Sequence, residues 1–281
     1  MATLAVIGGS GLYALSGLAS AEEIAIDTPY GPPSDMIVRG TLGSTTMLFL
    51  PRHGRGHRIP PSAINYRANI CALKKLGATH VVSVSATGSM KESIRPGQLV
   101  VVDQFIDLTK RRASTFFDEG VAAHVAMADP VCPLLAAATA SAGERAGAEV
   151  HRGGTYVCIE GPQFSTRAES HLYRSWGVSV IGMTNMPEAK LAREAELPYA
   201  TIAVATDYDC WHQTNEDVTV DAILAVLQRS LDTTKRLLAE LAPALPDPTE
   251  SPAHRALATA VLTDRAQIPP AKRAELTWLL S

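Results

Sequence analysis

Short runs rich in β-branched residues alternate with helix-length amphipathic runs along most of the chain. This alternation confines it to a layered α/β fold, with a largely parallel or mixed sheet covered by helices. Strands are expected at Leu4–Ile7, Met47–Leu50, His80–Val84, Leu99–Phe105, Tyr156–Ile159, Val178–Ile181 and Tyr199–Ala205. Between them, a helix capped by Ser62 carries Ile70, Leu73 and Leu76 on its apolar face and stops at Gly77. Another spans Arg167–Trp176 before Gly177, and a third begins near Pro187, a residue suited to the first helical turn. The longest, about Val220–Leu241, aligns Leu224, Leu227, Leu231, Leu238 and Leu241 on one face. Pro and Ala then crowd residues 242–252, which read as a linker into a final helix or two. The expected organisation is one main domain over residues 1–241 with a helical appendage, 242–281, packed on it.

Composition narrows the function classes. A chain of 281 residues takes roughly three quarters of its surface out of water on folding, so a sizeable core is available. The net charge of −3 offers no general attraction to nucleic acid or anionic lipid, which favours a small-molecule partner. No apolar run reaches the ~18–20 residues of a membrane span. Met1–Ile7 enters a strand-like run without a basic leader, so a cytoplasmic protein is expected. Cys71, Cys132, Cys158 and Cys210 form no C-x-x-C pair and fit buried thiols better than disulfides or a zinc site.

The unusual residues follow directly after expected strands: Gly8-Gly9-Ser10-Gly11, Ser85-Ala86-Thr87-Gly88-Ser89, Glu160-Gly161-Pro162-Gln163-Phe164, Gly182-Met183-Thr184-Asn185 and Thr206-Asp207-Tyr208-Asp209. Loops at the carboxyl ends of parallel strands converge on one cleft, so their combined content describes a ligand. Gly8–Gly11 and Ser85–Ser89 read as phosphate cradles, since glycine lets backbone N–H groups approach an anion and small hydroxyls add donors. Each alone is an ordinary tight turn; their joint occurrence with Arg52 and Thr184 makes the case. Gly9–Ala14 also fits the dinucleotide pattern, with Asp27 as ribose acid, but Gly17 leaves the required helix hardly two turns.

His53 and His57 flank Gly-Arg-Gly, poor material for a metal-binding helix. Asp207 and Asp209, alternate residues of a strand end, are expected to point the same way and to raise the pKa of at least one through repulsion. That yields a proton donor beside a charged acceptor, whereas a cation would want more oxygen ligands. The run Arg52–Arg58 reads either as an anion-binding element or as a solvated loop, and Lys110-Arg111-Arg112 as a solvated loop. Phe164 is either core packing or a cover for a flat ring.

Across Val6–Tyr13, Pro51–Tyr66, Pro96–Asp107, Ile159–Ser170, Met183–Glu188 and Ala205–Trp211 the chain resembles the trimeric purine nucleoside phosphorylase superfamily. The resemblance implies a single α/β domain with a central mixed β-sheet flanked by helices, which would place the catalytic domain in residues 1–241. It implies phosphorolysis, in which inorganic phosphate displaces a purine from C1' of ribose with no metal and no organic cofactor. Phosphate would be bound by Ser10, Arg52, His53, Ser85, Ala86 and Thr184. Met183 would pack under the ribose, Phe164 against the purine face and Ser165 near the base. Asp207 would be the catalytic acid at N7, and Asp209 or its bound water would accept from a 6-amino group, which favours adenine over a 6-oxopurine. Val220, Ile223 and Leu224 match positions around a 5'-thiomethyl group, which points to methylthioadenosine; they also suit an ordinary helix core. A homotrimer is implied, with His124 closing a neighbouring subunit's pocket. The alternatives are a phosphorylase for 6-oxopurine nucleosides, including methylthioinosine, and a non-catalytic purine-nucleoside binding protein.

Overall fold

A computed structural model describes residues 2–13, 15–212 and 219–280. Its strands are β1 (Thr3–Gly8), β2 (Ala19–Ile24), β3 (Ile37–Leu42), β4 (Thr45–Pro51), β5 (His80–Ser89), β6 (Leu99–Val101), β7 (Gln104–Asp107), β8 (Val150–Arg152), β9 (Thr155–Cys158), β10 (Val180–Gly182) and β11 (Tyr199–Asp207). The α-helices are α1 (Tyr66–Lys75), α2 (Pro133–Arg145), α3 (Arg167–Ser175), α4 (Asn185–Glu194), α5 (Val220–Leu241), α6 (Pro270–Glu275) and α7 (Thr277–Leu280). The strands form one mixed sheet in the order β2-β3-β4-β1-β5-β10-β9-β7, with β11 also on β5, β6 on β11 and β8 on β6.

Strand β5 organises the sheet because it changes partners along its length. Its first half runs parallel to β1, from Leu4 opposite His80 to Ile7 opposite Ser83. Its last residues run antiparallel to β10, with Ile181 opposite Gly88 and Val180 opposite Ser89. On its other edge β11 accompanies β5 from Val81 to Gly88. Between Ser83 and Gly88, then, β1 has turned away and β10 has not yet arrived. A wedge opens within the sheet over Val84–Thr87.

Both faces are covered, which explains why β1 is buried along its whole length. Side chains alternate across the sheet: Ala5 and Ile7 join Ile70 and Leu73 of α1 and Leu191 of α4, whereas Leu4 and Val6 join Leu135 of α2 and Leu237 of α5. Ile268 and Leu276, from beyond the linker, lie in the first of these clusters. Trp278 meets Phe116 edge-on at 4.9 Å.

Several expectations change. The stretch Leu99–Phe105 is two strands, because β6 pairs with β11 and β7 with β9; the break falls where Asp103 Oδ1 accepts from Gly154 N–H at 3.0 Å. Helix α1 is capped by Asn65, whose side chain accepts from Ala68 N–H, because the Ser62 hydroxyl instead donates to Glu160. Strands β2, β3 and β8 and helix α2 carry no periodicity that announces them; β2 reads ASAEEI and is almost wholly exposed. Among the described residues, no helix is long and apolar enough to cross a membrane.

Candidate active site

The wedge gathers four segments remote in sequence: the turn after β1, the end of β4, the unpaired edge of β5 and the end of β10. The second half of β5 is therefore strand, where the sequence suggested a loop, and the cleft lies within the sheet rather than beyond a row of strand ends. Gly8 fits closely where β1 turns: a Cβ there would lie 2.5 Å from Leu12 Cδ1, so the leucine side chain would have to shift. Arg52 N–H donates to Gly8 O at 3.0 Å and ties the ends of β1 and β4. Ser10 opens the short 3-10 turn Ser10–Tyr13, and its side chain lies outside the described structure.

The Arg52 side chain is buried and almost fully committed. Nη1 donates to Val84 O at 3.0 Å, and Nη2 reaches Ile7 O at 3.2 Å and Ser83 Oγ at 2.5 Å. Nε and Nη2 meet the Glu188 carboxylate at 2.9 and 3.2 Å. Burial works against the charge and Glu188 more than offsets it, so the guanidinium stays ionised. Of its five N–H groups, one on Nη1 has no acceptor among the described residues and is available to an anion.

Burial likewise pushes the His53 imidazole down to about 4, with the Arg52 charge adding to the effect, so the ring is neutral. Its Nδ1 lies 2.8 Å from Ile59 O, which assigns the proton to Nδ1 and leaves Nε2 as an acceptor. The His57 ring stacks on it at 4.1 Å. Among the described residues no three His, Cys, Asp or Glu side chains group as metal ligands.

Ser85 and Thr184 are buried on either side of the wedge. Ser85 Oγ donates to Asn185 Oδ1 at 3.0 Å, and Asn185 Nδ2 bonds Ser83, Tyr199 and Thr201. Ala86 is half-buried on β5, opposite Val204 of β11. Glu188 also accepts from Tyr199 O–H at 2.9 Å. A buried polar layer thus underlies the anion side of the wedge; the sequence placed Asn185 in the loop after β10 without giving it a role, and did not single out Glu188.

The opposite side is formed by the end of β11. A register shift between Ala205 and Asp207 leaves Thr206 as the extra residue and pairs Asp207 with Gly88. A Cβ on Gly88 would lie 3.1 Å from Asp207 Oδ1 and 3.2 Å from Asp209 Cβ, so glycine lets the acids approach β5. Asp209 N–H donates to Asp207 Oδ1 at 2.8 Å and Thr206 Oγ1 to Oδ2 at 2.7 Å. Asp209 has left the strand and sits in the left-handed region at φ 52°, so the two carboxyls meet through a turn rather than by strand alternation.

Both carboxyls titrate above the ordinary Asp range. For Asp207 burial is the main cause, and the neighbouring Asp209 charge adds to it. For Asp209 burial raises the pKa against the Ser170 hydroxyl, which donates to Oδ2. The expected direction holds, but desolvation rather than mutual repulsion dominates. Ser170 is buried on α3, whose start is set by a capping box of Thr166 and Glu169. Nothing in the sequence distinguished Ser170 from other helical serines.

Phe164 is 46% exposed, which removes it from the core and leaves its ring available at the mouth. Ser165 Oγ is buried without a partner in the described structure. Met183 packs on the Glu160 turn so closely that a Cβ on Gly161 would lie 2.5 Å from its Sδ. Val220 and Leu224 are exposed on the first turns of α5, with Ile223 half-buried beside them. Leu231, two turns further along α5, touches Gly11 and so anchors that helix at the anion side. His124 is not brought to this chain's wedge; it lies exposed on a loop whose N–H donates to Ala260 O at 2.9 Å.

One expectation is overturned outright. Lys110 and Arg111 are exposed, but the Arg112 side chain is 1% exposed and forms an ion pair with Glu160 at 3.2 Å. Cys71, Cys132 and Cys158 are buried as expected, and Cys210 is half-buried, its Sγ 3.3 Å from Ser165 O.

Residues 3–243 match the family model described as the phosphorylase superfamily. The chain belongs to that superfamily. Among curated relatives of this phosphorylase-superfamily chain, S-methyl-5'-thioadenosine phosphorylase of Geobacter sulfurreducens is 54% identical over 99% of this chain and 97% of its own length. The protein of the same name from Koribacter versatilis is 50% identical over 99% and 96%. A crystal structure of methylthioadenosine phosphorylase from an antarctic soil metagenomic library superposes with a TM-score of 0.95 at 48% identity, covering 100% and 99% of the two chains. Methylthioadenosine phosphorylase from Schistosoma mansoni in complex with adenine gives 0.83 at 34%, covering 99% and 97%. The mixed sheet with helices on both faces is thus the fold of these phosphorylases.

Proposed function

We propose that this protein catalyses phosphate-dependent cleavage of S-methyl-5'-thioadenosine to adenine and 5-methylthioribose 1-phosphate. The observation that carries the reading is the pairing, across one wedge, of a buried cationic and hydroxyl-rich side with two acids of raised pKa, Asp209 buried and Asp207 half-buried. Full-length relatives named for this activity support the same substrate.

Cleavage of the N9–C1' bond sends its electron pair into the purine while a phosphate oxygen forms a new bond to C1'. The transition state carries positive charge on the sugar and negative charge on the base, so stabilisation is needed at both ends. On the sugar side the phosphate dianion is met by the free Arg52 N–H and the hydroxyl groups of Ser10 and Thr184. Ala86 contributes backbone, and Ser85, whose proton goes to Asn185, orients the layer beneath. His53 Nε2, an acceptor, suits the one protonated phosphate oxygen. On the base side Asp207, whose pKa burial raises, donates a proton to N7 as the ring gains charge, and Asp209 accepts from the 6-amino group. A 6-oxopurine would set acceptor against acceptor there. Phe164, Ser165 and Met183 line the base and ribose, and no metal or organic cofactor enters the scheme.

Exposed Val220 and Leu224 offer an apolar wall for the thiomethyl group. The reading includes a cytoplasmic homotrimer in which exposed His124 reaches a neighbouring subunit's pocket. The deciding experiment follows base release from methylthioadenosine, adenosine, methylthioinosine and inosine, with and without phosphate. Adenine appearing from methylthioadenosine only when phosphate is present is the expected result. Preferential release of hypoxanthine would move the assignment to a 6-oxopurine enzyme, and binding without release to a binding protein.

A further inference from the structure

Among the described residues outside the assigned machinery, the most heavily bonded side chain is that of Arg112, on the segment after β7. Its guanidinium plane lies between the two turns that face the nucleoside. Nη1 donates to Met183 O at 2.6 Å, Met186 O at 2.7 Å and Tyr66 Oη at 3.1 Å. Nη2 donates to Glu160 O at 2.7 Å, and Nε to Glu160 Oε1 at 3.2 Å. Glu160 is held in turn by the Ser62 hydroxyl and by Lys110 N–H at 2.5 Å.

These acceptors are specific in kind. Met186 has non-helical angles (φ −117°, ψ 131°) inside the α4 run, so its carbonyl is turned out of the helical ladder and requires an outside donor. The Met183 carbonyl directly precedes Thr184 on the anion side, and the Glu160 carbonyl directly precedes Gly161-Pro162-Gln163-Phe164 on the base side. Where the two turns touch, a Cβ on Gly161 would lie 2.5 Å from Met183 Sδ, and Gly161 holds the left-handed φ of 67° that favours glycine. A planar fork of five donors can satisfy carbonyls on both turns at once, which a single ammonium cannot.

We propose that Arg112 is a positioning residue: by bonding the Met183 and Glu160 turns to one rigid plane, it sets the distance between the phosphate and the base. The inference rests on the phosphorolysis reading only for the identity of the substrates. Misplacement of reacting groups by about 1 Å costs on the order of 10²-fold in rate, so the loss is expected in turnover rather than in either substrate's affinity.

The test compares Arg112→Lys with the unmodified protein by steady-state kinetics on methylthioadenosine and phosphate and by hydrogen exchange. Arg112→Lys is expected to keep the far-ultraviolet circular dichroism of the parent and to lose on the order of 10²-fold in kcat, with both KM values within about fivefold. Amide exchange should quicken in peptides spanning 159–165 and 182–187 and stay unchanged in β1 and β4. A kcat within about threefold of the parent, or exchange that quickens everywhere alike, overturns the proposal. A variant that cannot fold overturns it too, by assigning Arg112 to stability. Absence of adenine release from the unmodified protein refutes the function reading instead, and the exchange comparison still decides the role of Arg112.

Discussion

Glu188→Gln isolates the charge that holds Arg52 in place. The carboxylate is 1% exposed and accepts from Arg52 Nε and Nη2 at 2.9 and 3.2 Å and from Tyr199 O–H at 2.9 Å. Gln preserves the shape but leaves the Arg52 cation, itself 2% exposed, without its counter-ion. Removing one partner of a buried pair costs about 3–5 kcal/mol, because the survivor keeps its desolvation penalty. At ~2–4 °C per kcal/mol for a chain of this size, the thermal midpoint should drop by roughly 6–20 °C. The same substitution lets Arg52 shift from Ile7 of β1 and from Ser83 and Val84 of β5, so KM for phosphate should rise by about 10-fold or more, as expected for loss of a charge-assisted contact. Urea unfolding at one protein concentration and phosphate titration of base release give the two quantities. Replacing both partners, Arg52→Met with Glu188→Met, should recover at least about 1 kcal/mol over the worse single variant, because no charge is then stranded. It should not recover activity. A loss below about 1 kcal/mol for Glu188→Gln, or a double variant no more stable than either single, would refute the assignment of a desolvated ion pair.

Asp207→Asn should lower kcat by about 10²–10³-fold with little change in nucleoside binding, since the contact strengthens as the base leaves; equal losses in affinity and rate would count against a proton donor. Because the folded-state pKa of Asp207 is raised, its ionisation disfavours folding as pH rises through that value. The Asn variant should therefore be more stable than the parent at pH 7 by thermal melting, and kcat/KM of the parent should decline as pH rises past the same point. Asp209→Asn should narrow the preference for 6-amino over 6-oxo purines, and Ser170→Ala should do so in the same direction because its hydroxyl orients Oδ2; unchanged ratios would remove both from specificity. The His53 ring, depressed to about 4, should show a constant neutral, Nδ1-protonated NMR signature from pH 8 down to about 5. As pH falls from the unfolded His value near ~6.5 towards 4, its contribution to stability is lost, and a ring titrating near 6.5 would contradict the burial argument.

How far the chain could be read in advance depended on whether the relevant force is local. Strand β1 was legible because a strand covered on both faces must be a continuous apolar run, and TLAVIG is one. Helix α5 announced itself by its leucine face. Strand β2 did not, since an exposed edge needs no alternation, and the strand break near Asp103 depends on Gly154, fifty-one positions away. In the site, Arg52, Thr184, Asp207 and Asp209 stood out because their chemistry is uncommon after a strand. Glu188, Ser170 and Arg112 did not: an acid at the start of a helix, a helical serine and an arginine in a basic run are each ordinary until a partner is known.

Periodicity and turn chemistry, which act over a few residues, were enough to determine an α/β sheet under helices and a set of anion-binding groups and acids after its strands; the purine was implied only by the family resemblance. Tertiary structure alone decided where those groups meet, because β5 exchanges β1 for β10 and opens the wedge over Val84–Thr87. It also decided which charges are usable. Burial is a property of the assembled core, and burial makes Arg52 a tied cation, raises the pKa of Asp207, and makes Arg112 a fork between two turns rather than a solvated side chain.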